Sequence, residues 1–177
     1  MLWLKQWSQH SSWRMRSCAS LIAALAAAGF VAGPAQAKPP VITTGASVVG
    51  SGTAGNGSFD INAQAQPGGS TASGYADFDL AIGYIDGQVT CTQVSNGLAG
   101  ISGTLGPETT AVDPTSTQGF YLYVAEGNPD SLQLMLIGFV PPAGDCSPQQ
   151  PVSPAAVTSG DIQLMPSSTI CIKPKKC

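Results

Sequence analysis

Beyond residue 48 the hydrophobic pattern repeats every two residues. Phe59, Ile61, Ala63 and Ala65 alternate with Ser58, Asp60, Asn62, Gln64 and Gln66. That spacing puts the apolar set on one face of a strand. Pro67-Gly68-Gly69-Ser70 then reads as a turn. Ala76, Phe78, Leu80, Ile82 and Tyr84 make one face of the next run, and Tyr75, Asp77, Asp79, Ala81, Gly83 and Ile85 the other. Asp86-Gly87 and Asn96-Gly97 both sit between strand-like runs, and both pairs tolerate the positive φ of a type I′ hairpin. A three-strand meander over 74–85, 88–95 and 98–105 is therefore predicted.

Residues 106–118 read as a loop. Phe120, Leu122 and Val124 alternate with Tyr121, Tyr123 and Ala125, and Glu126-Gly127-Asn128-Pro129-Asp130 is a turn. Residues 131–140 are apolar on both faces, which predicts a central or doubly covered strand. The Pro-rich stretch 141–155 cannot be a strand interior. Short strands near 160–165 and 168–172 end the domain. Short antiparallel connections without a helical period predict an all-β fold, an antiparallel β-sandwich or small β-barrel of about seven to nine strands. An outer-membrane barrel would need an apolar outward face, whereas Asp60, Asn62, Gln64, Asp77 and Asp79 occupy the non-core positions here.

Residues 1–37 have another character. Arg14 and Arg16 precede an apolar run from Cys18 to Ala32, Gly33-Pro34 breaks it, and Ala35-Gln36-Ala37 is an A-x-A cleavage signal. This order is that of a secretory signal peptide, which predicts a secreted or periplasmic protein cut after Ala37, with no stable membrane span thereafter. The expected organisation is a signal peptide at 1–37, an extended lead-in at 38–48, an all-β domain at 49–172 and a tail at 173–177.

Cleavage changes the charge. Of the bases, Lys5, Arg14 and Arg16 leave with the leader, while all 10 acids stay. Lys38, Lys173, Lys175 and Lys176 remain, so the mature chain carries four bases against ten acids, or −6. Without a basic stripe, nucleic-acid binding is excluded. The only histidine, His10, and all three tryptophans are in the leader. Catalysis by a Ser-His-Asp or Cys-His set is excluded, and so is an imidazole metal ligand.

The features just described resemble, in order, a loose group of secreted bacterial all-β domains over roughly residues 50–165. These features are the Gly50-Ser51-Gly52 start, Ser73-Gly74-Tyr75, Gly87-Gln88-Val89-Thr90-Cys91, the Asn96-Gly97 hairpin, the turn at 126–130 and Ser159-Gly160-Asp161-Ile162. The resemblance implies the fold and an extracytoplasmic location, and no activity. In similar domains the acidic turn begins with Asp-Asn-Gly, from which Glu126-Gly127-Asn128 departs.

Four mature cysteines in an oxidising compartment imply two disulfides. Cys91–Cys146 and Cys171–Cys177 are the expected pairs, and Cys91–Cys171 with Cys146–Cys177 is the rival. Gly50-Ser51-Gly52-Thr53-Ala54-Gly55 fits G-x-G-x-x-G, but a period-two strand follows it where a dinucleotide site needs a helix. Tyr75, Tyr121 and Tyr123 are the candidate recognition residues, since tyrosine offers rigid amphipathic contact area to a glycan or protein. Glu126 and Asp130, with Asp113, are candidate oxygen donors to calcium. Asp77 and Asp79, or Glu126 and Asp130, are the carboxylate pairs that acid–base hydrolysis would use. No cofactor is expected. The reading is a secreted non-catalytic β-domain that binds or packs against an extracytoplasmic partner; the alternative is a carboxylate-dependent extracytoplasmic hydrolase.

Overall fold

The computed structural model describes residues 41–113 and 115–171. The expected signal peptide and cleavage site, Cys177 and the tail at 173–177 lie outside the described residues. The strands are β1 (Val41–Thr44), β2 (Ser47–Ala54), β3 (Gly57–Ala65), β4 (Ala72–Leu80), β5 (Gly83–Ile85), β6 (Gly87–Ser95), β7 (Leu98–Leu105), β8 (Gly119–Ala125), β9 (Ser131–Ile137), β10 (Ala155–Met165) and β11 (Ser168–Cys171). From β2 to β10 each strand lies antiparallel beside its neighbour in sequence, except that β5 and β6 both pair with β4, and β10 returns to pair with β2. The chain is thus a closed eight-stranded up-and-down barrel with β5 as an extra strand. Closure removes the exposed edges that a sandwich of the same strands would keep.

Strand alternation fills the barrel. Ile61, Ala63, Ala76, Ile85, Ile101, Phe120, Leu122 and Val124 are completely buried inside it. The outer wall carries Asp60, Asn62, Gln64, Asp79, Gln88 and Asp161, all exposed. Apolar-in and polar-out is the reverse of a lipid-facing barrel.

Three local features differ from the sequence pattern. The first hairpin does not turn at Asp86-Gly87. The chain reverses at Ala81-Ile82, with Leu80 opposite Gly83 and Phe78 opposite Ile85. Residues directly opposite share a face, so the reversal moves the inward set from even to odd numbers. Ile85 points in and Tyr84 points out, contrary to the unbroken alternation. The β4–β5 pairs share one register with Tyr75 opposite Gln88, so β5 and β6 run end to end along β4. Asn96-Gly97, by contrast, is the expected turn, with φ of 54° and 71°.

The second feature is a bulge between Val89 and Cys91. Without it Cys91 would face the interior like Val89. The extra residue turns it outward beside Ser102, and the following Thr92 and Val94 take the inward positions. The third is in the lead-in. β1 lies in it, paired with β11, and Thr44 opposite Ser168 continues the register of Ser47 opposite Met165. β2 and β10 therefore extend past the barrel as a two-stranded ribbon.

The Pro-rich stretch forms no strand before Ala155, as its prolines dictate. It doubles back over the outer wall of β6, β7 and β8. The Cys91–Cys146 disulfide fastens it there, with a Cα–Cα distance of 5.8 Å. Ser102 Oγ donates to the Asp145 carbonyl at 2.8 Å. Gly100 lets the segment approach, because a Cβ there would run into the Cys146 carbonyl. The expected partner of Cys171, Cys177, lies outside the described residues.

Candidate functional site

Tyr121 and Tyr123 occupy successive outward positions of β8. Their rings stack with centroids 6.3 Å apart and 2° between planes. The fastened segment half-buries them, and the Tyr121 hydroxyl donates to Asp145 Oδ2 at 2.6 Å. Tyr75 stands on β4, with β6 and β7 between it and β8, and is 38% exposed. Its hydroxyl reaches Asp60 Oδ1 at 3.5 Å. The three tyrosines therefore do not converge on one patch.

The hydrogen bond to Asp145 pushes the Tyr121 phenol up to about 12, helped by burial. Burial, then Asp77, pushes Tyr84 up to about 12. Burial and the Asp145 charge also raise Tyr123. A raised phenol favours the folded state fully below the unfolded tyrosine pKa of about 10. That contribution is lost as pH climbs through the folded value. Stability should therefore fall between pH of about 10 and about 12. In Asp145→Ala, a phenolate-absorbance titration should show Tyr121 ionising back toward about 10. An unchanged titration would remove Asp145 as the cause.

The carboxylates are occupied structurally. Asp77 Oδ1 accepts from the Gly87 N–H at 3.3 Å. Asp79, two residues on, shares the outward face of β4 and borders a separate open cleft with Thr53, Asn56 and Thr158. Asp113 accepts from the Thr115 N–H at 2.9 Å and its hydroxyl at 2.7 Å, which hold its carboxyl below the usual range. Glu126 and Asp130 work at the barrel seam. β9 and β10 form only two ladder pairs, Leu132 opposite Ala155 and Ser131 opposite Ala156. On one side of those pairs, Asp130 Oδ2 accepts from Ile162 N–H at 3.2 Å and Glu126 Oε1 from Leu164 N–H at 3.3 Å. Asp130 Oδ1 also accepts from Gly127 N–H at 2.9 Å. These oxygens replace missing strand acceptors, as unpaired backbone donors require. Among the described residues no group of three or more His, Cys, Asp and Glu side chains is placed to hold a metal ion.

On the other side of the seam the barrel is open. β9 runs on past the start of β10, so beyond Leu132 it has no strand on that flank. Gln133 ties the chain there instead: its Oε1 accepts from Val152 N–H at 2.7 Å and Ser153 N–H at 3.3 Å. Behind this tether lies a cavity of about 420 Å³. Leu132, Leu134 and Leu136 of β9 form one wall. Phe59 of β3 with Phe78 and Leu80 of β4 form the facing wall, and Ala54, Gly57 and Ala155 fill between. The polar residues among those lining it are Ser58, Gln133 and Ser153, and none is ionisable. Leu80, Leu134 and Leu136 are only partly buried, although they pack on the core. Beside the tether Val152 is 88% exposed.

Sequence reasoning missed this site. It assigned residues 131–140 to a central or doubly covered strand; β9 does lie between β8 and β10, but it pairs with β10 at only two positions, and outward Met135 is 43% exposed. The available signal was the proline run ahead of β10, which shortens that strand's pairing with β9. Compared with known proteins, the chain matches no family, no curated protein and no solved structure.

Proposed function

We propose that this protein is a non-catalytic, extracytoplasmic binding module whose barrel takes an apolar ligand into the notch between β9 and β10. The carrying observation is the half-open apolar cavity of about 420 Å³ flanked by partly exposed leucines. Ligand sites are concave, mainly apolar and about 300–1,000 Å³. Eight-stranded barrels have interiors that side chains just fill or that hold one small ligand. Here the middle is filled and the space is at one end. The buried disulfide is compatible with an oxidising compartment and so supports the exported location. For hydrolysis, the acidic pairs offer little: Asp77 accepts from the Gly87 N–H and does not share the cleft that Asp79 borders, and Glu126 and Asp130 hold backbone N–H groups.

Phenylnaphthylamine, an uncharged dye that brightens in apolar surroundings, should bind the purified mature protein at one saturable site. Leu134→Trp or Leu136→Trp, each filling the notch, should weaken that binding at least tenfold, an effect of about 1.4 kcal/mol. Circular dichroism should show both variants folded. Equal dye binding by wild type and both folded variants would refute the site.

A further inference from the structure

We propose that the notch selects an uncharged amphiphile: an aliphatic body with a hydroxyl, ester or amide head, and not a fatty carboxylate or phosphate. This rests on the proposed apolar site and narrows it to a ligand class.

Charge carries the argument. All 10 acids of the chain lie between Asp60 and Asp161, and residues 41–171 contain no Lys, Arg or His. Among the described residues an anionic head at the notch would find no cation to pair with. It would meet the summed field of the carboxylates, which repels anions over the surface. Leaving water without a partner would add a desolvation cost. The walls of the cavity carry no ionisable side chain either, so a cationic head, though drawn to the surface by the same field, would leave water without a partner on entering.

The polar rim fits a neutral head. Gln133 Oε1 is engaged by two backbone N–H groups. Its orientation is thereby fixed, and the amide nitrogen is left as the donor end at the cavity edge. Ser153 adds a hydroxyl that can donate or accept. Donors above a leucine wall match a carbonyl or hydroxyl oxygen on an aliphatic chain. The field of the domain then discriminates between a fatty ester and its free acid, which share the same chain.

Displacement of phenylnaphthylamine from the mature protein at neutral pH tests this. Decanol and methyl decanoate should displace the dye. Decanoate should need at least ten times the concentration, and decyltrimethylammonium should compete no better than decanol. Val152→Lys, at an exposed position beside the rim that does not line the cavity, places a cation nearby and should improve decanoate at least fivefold while leaving decanol unchanged. Equal competition by decanoate and decanol would overturn the proposal while leaving the apolar site intact. So would a cation competing tenfold better than decanol. Dye binding that no chain displaces would also overturn it and keep the site. No dye binding at all would remove the site itself. Association with phosphatidylcholine vesicles without displacement by monomeric decanol would assign the notch to a bilayer surface and overturn the free-ligand reading.

Discussion

Replacing Cys91 and Cys146 together by serine should lower stability by about 4 kcal/mol. The disulfide closes a loop with a sequence separation of 55 residues. In the chain-entropy model a loop of that size removes roughly 4 kcal/mol of freedom from the unfolded chain. For a domain of this size the loss should appear as a fall in Tm of roughly 10–15 °C. The folded state adds to this expectation, because the fastened segment cannot replace the bond from its own resources. Its prolines lack N–H groups, and its recorded polar links to the barrel wall are few. Around the disulfide they are Ser102 to the Asp145 carbonyl, Tyr121 to the Asp145 carboxylate, and Gln93 Nε2 to the Gly144 carbonyl at 3.4 Å. Replacing both partners leaves no unpaired thiol from this bond to scramble, so urea melts of the two proteins compare cleanly. A loss below about 1 kcal/mol would mean that the three polar links hold the segment unaided.

The same bond marks where sequence reasoning worked. Cys91–Cys146 was expected because the Pro-rich stretch has few ways to bond itself, and that stretch is the one the bond fastens. The strands over 58–65, 98–105 and 119–125 were legible because one face is buried and the other wet, so period two survives in the sequence. Glycine was not legible in the same way. Gly97 permits a turn, with φ of 71°. Gly87, next to an equally turn-like residue, sits in a strand because a Cβ there would crowd the Phe120 ring. One residue type serves both needs, and only the fold tells them apart. The turn at Ala81-Ile82 was hidden for a related reason: Ile82, 70% exposed at the tip, preserved the apparent alternation. The notch was hidden more deeply. Leu132, Leu134 and Leu136 read as core in any fold, and whether a strand covers them depends on how far β10 extends, a tertiary fact. Likewise Glu126 and Asp130 read equally well as turn residues, metal ligands or acid–base pairs. Only the two-pair seam reveals them as substitutes for strand acceptors.

Phe120→Ala should cost about 4–5 kcal/mol, the upper part of the range for truncating a buried phenylalanine. The cost of such a change depends on how far the surroundings collapse, and here they can collapse very little. Phe120 is completely buried and stands opposite Gly103. A Cβ on Gly103 would lie 2.8 Å from its Cε1, and one on Gly87 would lie 3.0 Å from the same atom. The ring thus fills space that two glycines leave empty, and neither glycine has a side chain to move in when the ring goes. The backbones cannot close in either, since β8 is paired along its length with β7 on one side and β9 on the other. Phe120→Leu keeps most of the volume and should cost about 1.5 kcal/mol or less. Urea unfolding would measure both, with an unchanged m-value expected because the folded barrel persists. Phe120 does not line the notch, so both variants should bind phenylnaphthylamine like wild type under conditions where they are folded. A loss below about 2 kcal/mol for the alanine variant would mean that the barrel contracts after all. Loss of dye binding in the folded leucine variant would mean that packing at the centre of the barrel, and not the leucine wall of β9 alone, sets the shape of the site.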